Sequence, residues 1–221
     1  MNINIVYEDE QIIVCEKPCG VPTQPDPTGA EDLYTHLTKE KGKVYLIHRL
    51  DRGVGGLMVF ARTKEAAAHL SEQVADHGNF RKIYHAVLSG SCPENGDLVD
   101  FLYHDKRLHK AFVVKSKRAG VKEARLTYQQ VITGEVLGTT ATLVKIELQT
   151  GRFHQIRVQF ASRKTPLLGD GKYGSRVKCP LALWATGLSF LHPKTKERLS
   201  FTTQPPKEDI PWCAFASHFV S

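Results

Sequence analysis

One carboxylate and two guanidinium groups carry the chemical interest of this chain. Asp51 closes the tetrapeptide His48-Arg49-Leu50-Asp51, just ahead of the apolar run Gly55–Ala61. Arg152 and Arg157 lie in the later segment LQTGRFHQIR, residues 148–157. Burying a lone carboxylate beside a strand is costly unless a cation pairs with it. The two segments are therefore read as one site, with Asp51 doing the chemistry and Arg157 holding it ionised. The planar fork of arginine suits that task in a way lysine cannot reproduce. The competing reading of Asp51 is a structural salt bridge with Arg49 or Arg52, because perturbed ion pairs are often only structural.

The elements that must position these groups read as strands with a few helices inserted. Residues 3–7 and 11–17 are short β-type runs around a polar turn. Residues 18–29 form a loop whose four prolines forbid regular structure. A short helix is predicted over 30–41 and a strand over 44–48. Thr63 suits an N-cap for a helix over 64–77, with Ala66, Ala67, Leu70 and Val74 on one face and Gly78 ending it. Residues 81–89 alternate as a half-buried strand does, and 121–132 and 139–148 read as further strands. Residues 154–162 can form a helix with Ile156, Phe160 and Arg157 near one side. Residues 188–191 and 198–201 read as a closing hairpin. This order predicts an α+β domain on a mixed, mostly antiparallel sheet with flanking helices.

Composition narrows the function classes. The chain has 221 residues and a formal net charge of +7, the profile of a protein that meets a polyanion. From Asp105 to Arg125 there are eight Lys or Arg and two acids, interleaved with Leu108, Phe112, Val113 and Val114. Such a ribbon can lie along a phosphate backbone or be no more than a solvated hairpin. The five cysteines are odd in number and none sits at CxxC spacing, which argues against a zinc finger and a secreted disulfide framework. The N-terminus carries acids where a signal peptide needs bases, and no apolar run approaches a membrane span. A cytoplasmic protein is expected.

At this point five stretches match a known pattern in order. His48–Asp51 followed by GLMVFAR (residues 56–62) resembles the catalytic motif of the RluA-type pseudouridine synthases. Residues 148–158, then PLLGDGKYG (166–174), resemble that family's second long motif. The opening Tyr7 to Gly20, RKIYHAV (81–87) and LSFLHPKT (188–195) complete the series. The resemblance implies a single catalytic domain over residues 1–221, with a long bent sheet and a central RNA-binding cleft. It also implies no metal, no organic cofactor and isomerisation of uridine to pseudouridine in ribosomal or transfer RNA. Many members carry an N-terminal S4-type module, which is not expected here, and nothing marks an obligate interface, so a monomer is expected.

Carried over by motif, Asp51 matches the catalytic aspartate, Tyr84 the tyrosine that packs on the target base, and Arg157 the arginine paired with the aspartate. His48, Arg49, Arg52, Arg152, His154 and Gln155 are the candidate substrate-binding residues. For Tyr84 the plain alternative is a core aromatic. For His48 and His154 it is a satisfied core imidazole. The chain departs from the common pattern at three places. Val54-Gly55 stands where many members have Thr-Ser. Residues 162–165 replace a more usual turn, and Trp184 stands where histidine is frequent.

The chemistry explains why these residue types are needed. Breaking the bond from N1 of uracil to C1′ builds positive charge on the sugar, which a carboxylate stabilises. Asp51 can do so by attacking C1′ or by taking the 2′ proton, and both routes need its ionised form. No second acid is expected in either motif, which argues against ordinary glycoside hydrolysis. The target base must also leave its stack, at a cost of a few kcal/mol. Two rivals remain: an RNA-binding protein or folding helper without catalysis, and a glycosidase that releases free uracil.

Overall fold

The computed structural model describes residues 1–76 and 78–219. They form two compact units, one built within residues 1–82 and 184–204, the other within 83–183 and 205–219. Each is an α+β arrangement of mostly antiparallel strands with few helices.

In the first unit, β1 (Ile5–Glu8) and β2 (Ile12–Lys17) make the expected hairpin. Asp9 shapes its turn, accepting from the backbone N–H groups of Gln11 and Ile12 at 2.7 and 2.9 Å. Helix α1 (Leu33–Lys41) starts three residues later than predicted because Asp32 caps it, accepting from the Thr35 N–H at 2.9 Å. Strand β3 is reduced to Tyr45–Leu46, which pairs with the end of β4 (Gly55–Ala61). Thr63 caps α2 (Lys64–Asp76) as expected, accepting from Ala66 at 3.1 Å. Position 77, the predicted last residue of that helix, lies outside the described residues. Ala66 and Leu70 turn inward onto Ile12, Val14, Leu57, Val59, Phe80, Leu188 and Phe190, which form the unit's core. β2 pairs antiparallel with β4, and β10 (Leu183–Leu191) pairs parallel with β4 at Gly55 and Gly56. β10 and β11 (Arg198–Thr202) form the predicted closing hairpin.

In the second unit β5 (Arg81–Ser89) pairs with β9 (Thr139–Leu148), and β9 with the long β8 (Val121–Val136). β6 (Asn95–Asp105) pairs with β8 on one side and β7 (Lys110–Val114) on the other. The basic stretch is thus a hairpin arm, with Lys106, Arg107, Lys115, Lys117, Arg118 and Lys122 exposed. Helix α3 (Gln155–Ser162) lies where it was predicted and packs Val158 against Leu102, Ala111, Ala124 and Tyr173. The five cysteines are free, and no helix among the described residues is long and apolar enough to cross a membrane.

Candidate active site

Asp51 lies in the first unit, on a turn closed by the Val54 N–H donating to the Asp51 carbonyl at 2.9 Å. The turn is tied down on both flanks. Thr23 Oγ1 donates to the Leu50 carbonyl at 2.8 Å, and the Arg52 carbonyl accepts from the Gly20 N–H at 2.8 Å. Lys17 adds a clamp that the sequence reading missed. Its side chain is fully buried, and its Nζ donates to the carbonyls of Pro18, Val21 and Arg52 at 2.9, 2.6 and 3.2 Å. Burial pushes its pKa down to about 8, with Asp51 among the charges that oppose the shift. The signal available in sequence was a lysine inside an apolar run next to a proline-rich loop, where a cation must find acceptors.

The arginines on either side of Asp51 are directed into the proline-rich loop. Arg52 donates to the Gly20 carbonyl at 3.0 Å and to Thr28 Oγ1 at 3.1 Å, and lies 3.8 Å from the Asp26 carboxylate. Arg49 reaches Gln24 at 3.5 Å and is otherwise exposed. Part of His48 reaches the surface, but its Nδ1 is sealed from solvent, and its Nε2 accepts from the Val59 N–H at 3.2 Å. The imidazole thus tethers β4 to the segment that leads into Asp51.

Burial lowers the His48 pKa to about 3. A group whose folded pKa is depressed lets the unfolded chain take the proton first, so stability falls as pH drops through the window from about 6.5 towards 3. Between pH 6.5 and 5 this histidine alone should cost about 2 kcal/mol. Urea unfolding at the two pH values checks the loss. His48→Gln, which keeps an acceptor for Val59, should flatten it.

Tyr84, Arg152, His154, Gln155 and Arg157 all belong to the second unit. Tyr84 stands on β5 opposite Ile146 and is 6 % exposed. Gln155 begins α3 and spends its amide inside the protein. Its Oε1 accepts from Thr150 Oγ1 at 2.7 Å and from the Arg152 N–H at 3.0 Å, and its Nε2 donates to the Arg125 carbonyl at 3.0 Å. Arg152 Nε donates to the Glu123 carbonyl at 2.9 Å. Together these bonds fix the tight approach to α3. His154 sits before the helix in the left-handed region, at φ 52°. Tyr173 Oη accepts from the Ala111 N–H at 2.8 Å and shares a 3.0 Å hydrogen bond with His154 Nδ1 whose direction follows the imidazole tautomer. Burial lowers the His154 pKa to about 3. Its ring stacks on Phe153, and Phe153 on His104, at centroid distances of 3.8 and 3.9 Å.

Arg157 uses its fork as expected of arginine, but the carboxylate it grips among the described contacts is that of Asp170. Nε donates to Oδ2 at 2.7 Å and Nη2 to Oδ1 at 2.8 Å, with the two side chains 11 % and 1 % exposed. The guanidinium also lies over the Tyr173 ring, 5.2 Å from its centre. Asp170 stands in the continuation of the second motif, PLLGDGKYG, as a carboxylate between two glycines, which overturns the expectation that neither motif holds a second acid. A second acid does exist, therefore, and a bidentate arginine occupies it.

Comparison with known proteins bears on what this arrangement does. Residues 11–162 match the family model described as RNA pseudouridylate synthase. The chain is 31 % identical to a ribosomal large subunit pseudouridine synthase D from Zymomonas mobilis, over 93 % of this chain and 70 % of that protein. It is 30 % identical to the protein of that name from Pseudomonas aeruginosa, over 96 % of this chain and 71 % of the relative. The fold is that of human RNA pseudouridylate synthase domain containing 1, with a TM-score of 0.78 at 23 % identity, covering 93 % of this chain and 84 % of the human one.

Proposed function

The chain belongs to the RNA pseudouridylate synthases of the RluA type, and on that premise we propose that Asp51 is the carboxylate through which it turns uridine into pseudouridine. The observation that carries this reading is the restraint on the Asp51 turn. Lys17 and Thr23 and the Gly20 N–H hold the backbone carbonyls of residues 50 and 52, immediately on either side of it. Restraint of this kind keeps the turn that carries the reacting side chain in place. Arg52 is turned towards Asp26, Thr28 and Gly20.

In the proposed reaction the bond from N1 of uracil to C1′ breaks while the Asp51 carboxylate stabilises the charge on the sugar. The uracil, which keeps the electron pair of that bond, then turns, its C5 bonds to C1′, the C5 proton leaves and N1 takes up a proton. Tyr84 packs on the extruded base. The family resemblance gives Arg157, held by Asp170, the role of the guanidinium that favours an ionised carboxylate. Arg49 and the exposed lysines and arginines of the β6–β7 arm contact RNA phosphates, so binding weakens with salt. The same reading has residues 1–221 act as one catalytic domain, a cytoplasmic monomer whose substrate is ribosomal or transfer RNA. The large-subunit names of two relatives make ribosomal RNA the first to test.

RNA labelled with tritium at uracil C5 tests this directly. The purified protein should release label to water while no free uracil appears. Label without free base separates this activity from a glycosidase, which would liberate uracil. Release of nothing would leave an RNA-binding protein without catalysis.

A further inference from the structure

We infer that Trp184 is a positioning residue for Asp51: its indole wedges against the first residue of β4 and fixes where the Asp51 turn enters the sheet. The inference rests on the reading of Asp51 given above.

The turn is restrained on its other sides by the contacts of Lys17, Gly20 and Thr23, and by Cys19 Sγ donating to the Gly53 carbonyl at 3.2 Å. After Val54 the chain enters β4 directly, and there it meets β10 in parallel register, Gly55 opposite Trp184 and Gly56 opposite Ala185. The approach leaves no room for side chains. A Cβ at Gly55 would lie 2.2 Å from Trp184 Cζ3 and 2.4 Å from Cη2. At Gly56, whose φ is +114°, it would lie 2.2 Å from the Ala185 carbonyl oxygen. The indole therefore occupies the space that a residue-55 side chain would need. Glycine at 55 and tryptophan at 184, two of the departures from the common pattern, form one steric exchange.

What the site uses is the ring's volume. Trp184 Nε1 is sealed from solvent and has no hydrogen-bond partner, so its indole is not held there by its polar atom. Trp184→Phe should therefore serve, whereas Trp184→Ala should let the exit of the turn relax. A displacement of about 1 Å at a reacting group can cost about a hundredfold in rate.

The test uses a C5-tritiated transcript spanning a uridine that the protein modifies. Single-turnover rate at saturating RNA, RNA dissociation constant and thermal melting are measured for each variant. Trp184→Ala should slow the rate at least about tenfold with little change in the dissociation constant, and Trp184→Phe should stay near wild type. Gly55→Ala, which drives a methyl into the indole, should be the slowest. Adding Trp184→Ala to it should recover much of the rate, because the clash is removed. A Trp184→Ala enzyme as fast as wild type would overturn the inference. So would a double variant no faster than Gly55→Ala, or rate losses that merely follow the folded fraction. Should Gly55→Ala fail to fold, a folded double variant matching Trp184→Ala in rate supports the exchange, and an unfolded one sinks it. An active Asp51→Asn enzyme would instead defeat the underlying reading, so the two failures are distinct.

Discussion

Asp51→Asn should abolish turnover, by about a thousandfold or more, on the scale at which deleting a reacting group acts. The replacement is nearly isosteric but cannot carry the negative charge that both routes through C1′ require. Its backbone ties, from Lys17, Thr23 and Gly20 to the flanking carbonyls, do not involve the carboxylate and should survive. Melting temperature and RNA affinity should therefore remain close to wild type while tritium release disappears. A variant that bound RNA and still released label would show that the chemistry runs through another group.

The second large effect falls on stability. Arg157 and Asp170 form a bidentate pair with both side chains largely buried. Asp170→Ala leaves a buried guanidinium without the carboxylate it grips, and breaking such a pair costs about 3–5 kcal/mol. For a chain of this size that lowers the melting temperature by roughly 2–4 °C per kcal/mol. Arg157→Lys keeps the charge but loses the fork, so its stability should fall between those of wild type and Asp170→Ala. Urea unfolding of the three proteins checks the order. If Asp170→Ala were as stable as wild type, the pair would have no part in holding α3 in place.

Much of the fold was legible because alternation and capping are local signals. β5 and the closing hairpin follow the period of two, and Thr63 caps α2 where expected. The elements that were missed lack that local signature. β6 runs NGDLVDFLYHD, and its acids break the pattern of a half-buried strand. β7 was hidden inside the basic ribbon, whose charge drew a functional reading. β8 extends beyond 132 through Gly134, a residue that normally weakens a strand. Here it makes room for Phe215, which a Cβ would approach to 3.1 Å.

The candidate site shows the same division. Asp51, Tyr84 and Arg157 stand out by type and motif. The groups that restrain them do not, because a carbonyl cage or an ion pair is a property of tertiary approach. Lys17 and Asp170 both lay inside the matched motifs without a role until their partners were visible. Gln155, chosen as a substrate contact, spends its amide on Thr150, Arg152 and Arg125.

The central claim is that this chain makes pseudouridine in RNA through Asp51. Nucleoside-resolution mapping of pseudouridine in RNA from cells lacking the protein, complemented with wild type or Asp51→Asn, tests it most directly. At least one position should lose the modification in the deletion, regain it with wild type and stay unmodified with Asp51→Asn. An unchanged map in the deleted cells, or restoration by Asp51→Asn, would contradict the account.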